Sequence, residues 1–247
     1  MVLVSPRNPL NIGAAARAMA NFGFEHLHVA APFAPNWREA RSAIGAPELL
    51  HAAQESATLA EAVADCTLVV GSGTLTYRRP EQPVVALPAL GALVEREIAR
   101  GGRVALVFGS EKHGLTREDL SHCHCLVEIP TDSRQPSMNL GQAVAVCLYE
   151  LAARSGAEEQ GRESAADVRQ RAAPGNASGG VLERLAEVVE TVMAAADYSP
   201  SAMQQANRHD LRLLLRRLAI RERDARRMMG LFRSILFRLQ HGSGEEK

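Results

Sequence analysis

The sequence predicts an α/β domain with a largely parallel sheet, followed by a small helical module. Two observations carry this. Short apolar runs alternate with helix-spaced patterns from residue 1 to about 153, the signature of strands joined by crossover helices. Beyond that point the composition shifts, first to a small-residue stretch and then to leucine stripes at helical spacing.

The predicted strands are Val2–Val4, Leu27–Val29, Leu68–Val70, Val104–Phe108 and Leu126–Ile129. They are short and apolar, as strands buried on both faces must be. Helices are predicted between them at Ile12–Phe22, Leu59–Ala64, Leu90–Arg100, Thr116–His122 and Leu140–Ala153. In the first helix Ala15, Ala18, Met19 and Phe22 form an apolar stripe, while Gly13, Arg17 and Asn21 share another face. Glycine weakens a helix, so Gly13 points to a close approach to the backbone.

The domain expected to carry chemistry therefore spans residues 1–153. Residues 154–180 read as a flexible linker, because sixteen of the 29 residues from 152 to 180 are Ala, Gly or Ser and no apolar face runs through them. Residues 181–247 read as a basic helical tail. Its stripes are Leu182, Leu185, Val189 and Val192; then Leu211, Leu214, Leu215 and Leu218; then Ala225, Met228, Met229, Phe232, Ile235, Leu236 and Leu239. Three stripes predict three helices, with Pro200 and the Asn207 region breaking the pattern between the first two.

Composition bounds the function. With 247 residues and 46% hydrophobic side chains the chain can bury a sizeable core. The formal net charge is zero, so a polyanionic partner has to be sought in a local patch. The cysteines Cys66, Cys123, Cys125 and Cys147 lie in or beside apolar runs, which suits reduced, buried thiols. Cys123, His124 and Cys125 resemble half a metal site, but no second pair stands at zinc spacing and strand alternation splits thiols from imidazole, so no metal is expected. No charged leader precedes Val2 and no apolar run reaches membrane length, so a cytoplasmic protein without a signal peptide or membrane span is expected.

Three segments carry chemical signals. The first, Asn8 to Gly23, follows the first strand and opens the first helix, where parallel sheets bind ligands. There Asn11 offers an amide to a ribose or phosphate, and Arg17 a planar cationic fork. The second runs from Val104 through Gly109 and Glu111 to Gly114: a buried strand enters a glycine-flanked turn, and Gly109 would let a ligand lie against the main chain. Its glycine spacing resembles a phosphate-binding loop, but Leu115 stands where that motif needs lysine. The third runs from Ile129 and Pro130 to Ser137, Met138, Asn139 and Leu140, a strand end, polar loop and helix start. Free N–H groups there suit an anion such as a methionine carboxylate; alternatively Ser137 or Asn139 simply caps the helix. A weaker segment, Leu68 to Thr74, could begin a dinucleotide fingerprint. Thr76 replaces the third glycine and no clear acidic ribose ligand follows, which counts against an oxidoreductase.

In order and spacing these segments resemble the three motifs of the SPOUT (SpoU/TrmH-like) RNA 2′-O-ribose methyltransferases over about 150 residues. The basic tail extends the resemblance to the TrmJ-type branch, which methylates cytidine and uridine riboses of tRNA. The resemblance implies a SPOUT-type parallel sheet with a C-terminal trefoil knot, an arrangement sequence physics alone would vote against. It implies a homodimer with the active site at or near the subunit interface. It implies S-adenosyl-L-methionine as cofactor, held by the positions matching Ser72, Gly73, Thr74, Gly109, Ile129, Pro136, Ser137 and Met138. It casts Arg17, Asn11, Glu111, Ser137 and Asn139 as the catalytic set. A guanidinium holds its proton too tightly for a free base, so Arg17 is read as a fork on the neighbouring phosphate that stabilises the developing alkoxide. The resemblance equally admits this arginine as the base, and both readings stand at this point.

An RNA partner also fits the tail. Residues 204–240 hold ten arginines against three acids, a net +7. Arg208, Arg212 and Arg216 fall on one helical face, which suggests an RNA-phosphate grip alongside Arg17. The implied target is anticodon-loop nucleotide 32 of tRNA. The alternatives are a ribosomal RNA 2′-O-methyltransferase and a non-catalytic RNA-binding protein of the same fold. Segment 32–58, alanine-rich and holding the single tryptophan Trp37, carries no recognisable motif.

Overall fold

The computed structural model describes residues 1–73, 80–159, 175–198 and 200–241. Seven strands form one sheet: β1 Val2–Val4, β2 His28–Ala30, β3 Gln54–Ser56, β4 Leu68–Ser72, β5 Val84–Ala86, β6 Val104–Phe108 and β7 Cys125–Glu128. Their order is β3-β2-β1-β6-β4-β7-β5, and every pairing is parallel. The helices are α1 Pro9–Asn21, α2 Pro47–Ala52, α3 Leu59–Ala62, α4 Leu87–Ala99, α5 Arg117–Ser121, α6 Leu140–Glu159, α7 Gly179–Ala195, α8 Gln204–Arg217 and α9 Glu222–His241.

Strand alternation builds two cores. Leu3, Val29, Val70, Phe108 and Val127 enter the larger one, with α1, α4, α6 and Trp37. Val2, Val4, Ala30, Val69, Val107 and Leu126 enter the smaller one, with Leu59 of α3 and Leu115. These five strands are thus apolar on both faces, as a sheet with helices on both sides requires.

Both strands that the sequence pattern misses, β3 and β5, are sheet edges. Gln54 and Glu55 are exposed, and Val84 and Ala86 are exposed as well, so neither segment shows a buried apolar run.

Segment 32–58, without a motif, is structural. Trp37 is fully buried; its indole N–H donates to Glu55 at 3.2 Å, and Arg38 lies over its ring. This segment is also what approaches Gly13: a methyl there would stand 2.3 Å from Ser42 Oγ and 2.8 Å from Ala43 N. Ser42 Oγ in turn donates to Leu10 O at 2.6 Å.

The tail forms three helices around its own core of Val181, Leu182, Leu185, Leu215, Ala225 and Met229. It docks by backbone bonds from Gly179 to Cys66 O and from Gly180 to Ala64 O, and a side chain at Gly179 would strike Val63 O at 2.8 Å. Helix α6 runs to Glu159, past the expected end at Ala153, and Ala177 to Gly180 are packed. Residues 160–174 of the predicted linker lie outside the described residues. Asn207 sits inside α8, so the break lies at Pro200 alone, which caps a 3-10 turn at Ser201–Met203.

Candidate active site

A cleft of about 400 Å3 opens at the carboxyl ends of β4, β6 and β7, where parallel sheets bind ligands. Its walls are Ser72 at the end of β4 and Gly73 after it, the Gly109 to Leu115 loop after β6, the loop from Ile129 to Met138 after β7, and Leu140 and Ala143 of α6. Seven of the eight residues assigned to the cofactor thus share one cleft: Ser72, Gly73, Gly109, Ile129, Pro136, Ser137 and Met138. Thr74 lies outside the described residues.

Glu111 organises the approach to this cleft. Its carboxylate accepts from the backbone N–H of Arg7 at 2.9 Å, from that of Asn8 at 3.0 Å, and from the Asn11 amide at 2.9 Å. The Asn11 carbonyl accepts from the Asn139 amide at 3.0 Å. The Asn139 carbonyl then caps α6, accepting from Gly141 N at 3.0 Å. Asn139 is therefore a helix cap that also holds Asn11, and neither amide lines the cleft. Burial pushes the Glu111 carboxyl up, but the donors from Asn11, Arg7, Glu111 and Asn8 outweigh it and leave the group below the usual carboxylate range. An ionised carboxylate so occupied is a strut between loops, unsuited to taking a proton.

The loops themselves are locally determined. Asn8 caps α1, its side chain accepting from Leu10 N, with Pro9 at the first helical position. That Asn-Pro pair is a readable cap signal that the sequence reading passed over. Cleft residues it also missed include Lys112, Glu128 and Thr131. Thr131 Oγ1 donates to Pro136 O, closing the third loop across its neck.

Gly109 lines the cleft, and its own turn also requires it. A side chain there would stand 2.1 Å from the carbonyl carbon of Gly114 and 2.2 Å from Leu115 N. The loop folds back on its own glycine, closed by Gly114 N to Ser110 O at 2.8 Å, with Gly114 at φ +65°. The glycine serves this turn before it serves any ligand.

Arg17 lies on the exposed face of α1 and does not line the cleft of its own chain. Among the described residues it has no hydrogen-bond or ion-pair partner. Its neighbour Ala14 packs on Gly141 of α6, so α1 and α6 run side by side under that face.

The α8 arginines correct the sequence reading. Arg212 and Arg216 are buried. Arg212 bonds Glu118 of α5 and Glu183 of α7, and Arg216 faces Glu183 and His122. Arg208 is clamped by Glu190 at 2.7 Å. Leu214 and Leu218 face solvent instead. The carboxylates of α5 and α7 attract the guanidinium stripe inward: Arg212 docks the tail on the domain through Glu118, Arg208 stays within the tail on Glu190, and none is presented as a free phosphate grip.

All four cysteines are free and buried. Cys123 and Cys125 point into different cores, and burial pushes their thiols up to about 12 and about 11. His124 Nδ1 accepts from Val69 N at 3.1 Å, and burial lowers that imidazole to about 3. Among the described residues one group has metal-ligand types together, Glu81, His209 and Asp210. The Arg117 guanidinium donates to that same imidazole at 3.3 Å, and a cation there opposes a metal.

The model of the SpoU rRNA Methylase family matches residues 1–149. A tRNA (cytidine/uridine/adenosine-2′-O-)-methyltransferase TrmJ from Pseudomonas aeruginosa is 39% identical over 152 residues, 61% of this chain and 59% of that protein. A tRNA (cytidine/uridine-2′-O-)-methyltransferase TrmJ from Yersinia pestis is 30% identical over 237 residues, 96% of this chain and 89% of that protein. The match to the Pseudomonas relative thus spans less than two thirds of its length, while that to the Yersinia relative includes the tail. Among solved structures, TrmJ from Z. mobilis superposes with a TM-score of 0.80 at 28% identity, covering 95% of this chain and 97% of that one. By its fold, its three loops and the length of the match, this chain belongs to the SpoU methylase family.

Proposed function

We propose that the protein transfers the methyl group of S-adenosylmethionine to a ribose 2′-hydroxyl of tRNA, at nucleotide 32 of the anticodon loop. One observation carries this reading: the chain Glu111–Asn11–Asn139 ties all three motif segments together, and Glu111 lines the cleft that the second and third segments wall. The cleft fits the cofactor. Its volume lies in the range of small-molecule sites, and its lining mixes the apolar Leu115, Ile129, Met138 and Leu140 with main chain at Gly73 and Gly109. When bound, S-adenosylmethionine supplies an electrophilic methyl on a sulfonium leaving group, so the protein need only manage the nucleophile.

A ribose hydroxyl is a poor nucleophile until its proton is moved or its developing charge stabilised. Arg17 is the side chain proposed for that, as a fork on the adjoining phosphate and the nascent alkoxide. Because Arg17 stands outside its own cleft, the reading requires a homodimer in which it reaches the partner's cleft. Support comes from the α1/α6 face, where Tyr149 is 60% exposed and packs edge-on against Phe22. Ser137 and Asn139 would orient the ribose, and the knotted threading of the family would hold the third loop over the cofactor. The relatives' names support tRNA over ribosomal RNA. Four buried free thiols suit a reducing compartment, and among the described residues no helix is long and apolar enough to cross a membrane. Both are compatible with the cytoplasm.

The tail's contact with RNA is proposed for α9. Arg223, Arg227, Arg233 and Arg238 are exposed there, and no acid follows Asp224 within that helix. The test of the whole reading is transfer of tritiated methyl from S-adenosylmethionine to total tRNA, with mapping of the 2′-O-methyl mark. Transfer to ribosomal RNA alone, or cofactor binding without transfer to any RNA, would overturn it.

A further inference from the structure

Strands β1 and β2 lie side by side and end in register at Val4 and Ala30. Both chains then turn through the left-handed region, Ser5 at φ 47° and Ala31 at φ 48°. Neither residue is glycine, and such backbone is held only where the surroundings enforce it. The two turns are locked together: Ser5 N donates to Ala30 O at 2.8 Å, and Phe33 N to Pro6 O at 3.2 Å. The product is a pair of planar side chains, with the Arg7 guanidinium 4.5 Å from the Phe33 ring centroid. Phe33 is 68% exposed and adds nothing to the core. The Arg7 side chain has no carboxylate partner among the described residues. The Arg7 backbone N–H is bonded to Glu111 at 2.9 Å, and Glu111 lines the cleft.

We propose that Arg7 and Phe33 form a stacking subsite for the base of an unpaired RNA nucleotide flanking the ribose that enters the cleft. Unpaired bases are recognised by stacking on aromatic rings and guanidinium planes. A cation over the ring keeps the aromatic soluble while the site is empty, and its charge meets the phosphates on either side of a flanking base. The cofactor carries a sulfonium and an ammonium against one carboxylate, so a further cation at the rim favours the polyanionic substrate. The subsite rests on the RNA reading for its ligand class, and it acts before and apart from methyl transfer.

The test uses the full-length protein and an anticodon stem-loop carrying 2-aminopurine beside the target nucleotide, with S-adenosylhomocysteine present. Wild type should quench the probe on binding. Phe33→Leu should lose that quenching and weaken stem-loop binding about 5- to 150-fold, the range for one base–aromatic stack. Phe33→Tyr should stay within about twofold of wild type, since the π-face is kept. S-adenosylhomocysteine affinity and melting temperature should not move in either variant. Unchanged quenching and affinity in Phe33→Leu would overturn the proposal. So would a shift in oligomeric state in that variant, which would make Phe33 a subunit contact. If wild type quenches the probe but, with S-adenosylmethionine in place of S-adenosylhomocysteine, never methylates the stem-loop, the subsite stands and the catalytic reading falls.

Discussion

The Asn11 amide donates to the Glu111 carboxylate across 2.9 Å, joining the first turn of α1 to the loop after β6 over 100 residues of sequence. Two backbone N–H groups share that carboxylate, so its charge holds the mouth of the cleft in shape. Glu111→Gln keeps the size but turns one acceptor into a donor facing donors. The expected cost is about 1–3 kcal/mol of stability, with lower cofactor affinity. The sign of the pH effect follows from the lowered carboxyl. A group depressed in the folded state contributes fully above its unfolded value, near 4.5, and that contribution is lost as pH falls towards the folded value. Melting curves of wild type and Glu111→Gln should therefore differ at neutral pH and draw together only as pH falls below 4.5 towards the folded value.

Arg17 is exposed and unpaired among the described residues, so its removal leaves the fold intact. Arg17→Ala should keep its melting temperature and its S-adenosylhomocysteine affinity by calorimetry. Methyl transfer should fall by about two to three orders of magnitude, the usual loss of a donor aimed at developing charge. Heterodimers test the geometry further. Mixing Arg17→Ala subunits with subunits disabled at the cleft by Glu111→Gln should restore about a quarter or more of wild-type turnover when the guanidinium acts across the interface. No recovery would place Arg17 in its own subunit's reaction or out of it altogether.

The tail separates two kinds of arginine. Arg212 is buried between Glu118 and Glu183, so Arg212→Ala leaves carboxylates unpaired. It should cost about 3–5 kcal/mol and loosen the tail from α5. Arg227→Glu with Arg233→Glu on exposed α9 should leave the melting temperature within about 2 °C, by the usual tolerance of surface sites. It should weaken tRNA binding and flatten the slope of log affinity against log salt by roughly 0.7–0.9 for each phosphate left without its arginine. A filter-binding titration at several salt concentrations reads both.

The legible parts of the molecule were those where one physical demand acts on consecutive residues. The central strands announce themselves because Val2, Leu3 and Val4 are all buried, and so are Leu68, Val69 and Val70. The edge strands do not, because Gln54 and Glu55 answer to solvent. The three site segments were legible as strand ends carrying Gly, Asn and Ser; the cleft gathers the second and third, and Glu111 ties the first to them. The α8 stripe was misread because a row of arginines looks the same whether it faces water or two carboxylates contributed by other helices. Glu118 and Glu183 stand 94 and 29 residues from Arg212, beyond any local pattern. The role of Gly13 was half legible: a close approach was implied, but its partner at Ser42 and Ala43 lies in a segment with no motif.

The cleft glycines offer a final separation of fold from function. At Gly109 the space for a side chain is filled by backbone, with Gly114 and Leu115 atoms within 2.1–2.4 Å. Backbone cannot rotate aside as a side chain can, so Gly109→Ala should lose about 3 kcal/mol or more, the upper end of overpacking. At Gly73 no described atom lies within 4 Å of the same position, although the residue lines the cleft. Gly73→Ala should therefore melt with wild type. Its methyl projects where the cofactor is proposed to lie against the main chain, and S-adenosylhomocysteine should bind about tenfold more weakly, a loss of about 1.4 kcal/mol. Calorimetry beside thermal melts distinguishes the two glycines. Full cofactor affinity in Gly73→Ala would move the ligand away from the end of β4 and towards the loops after β6 and β7.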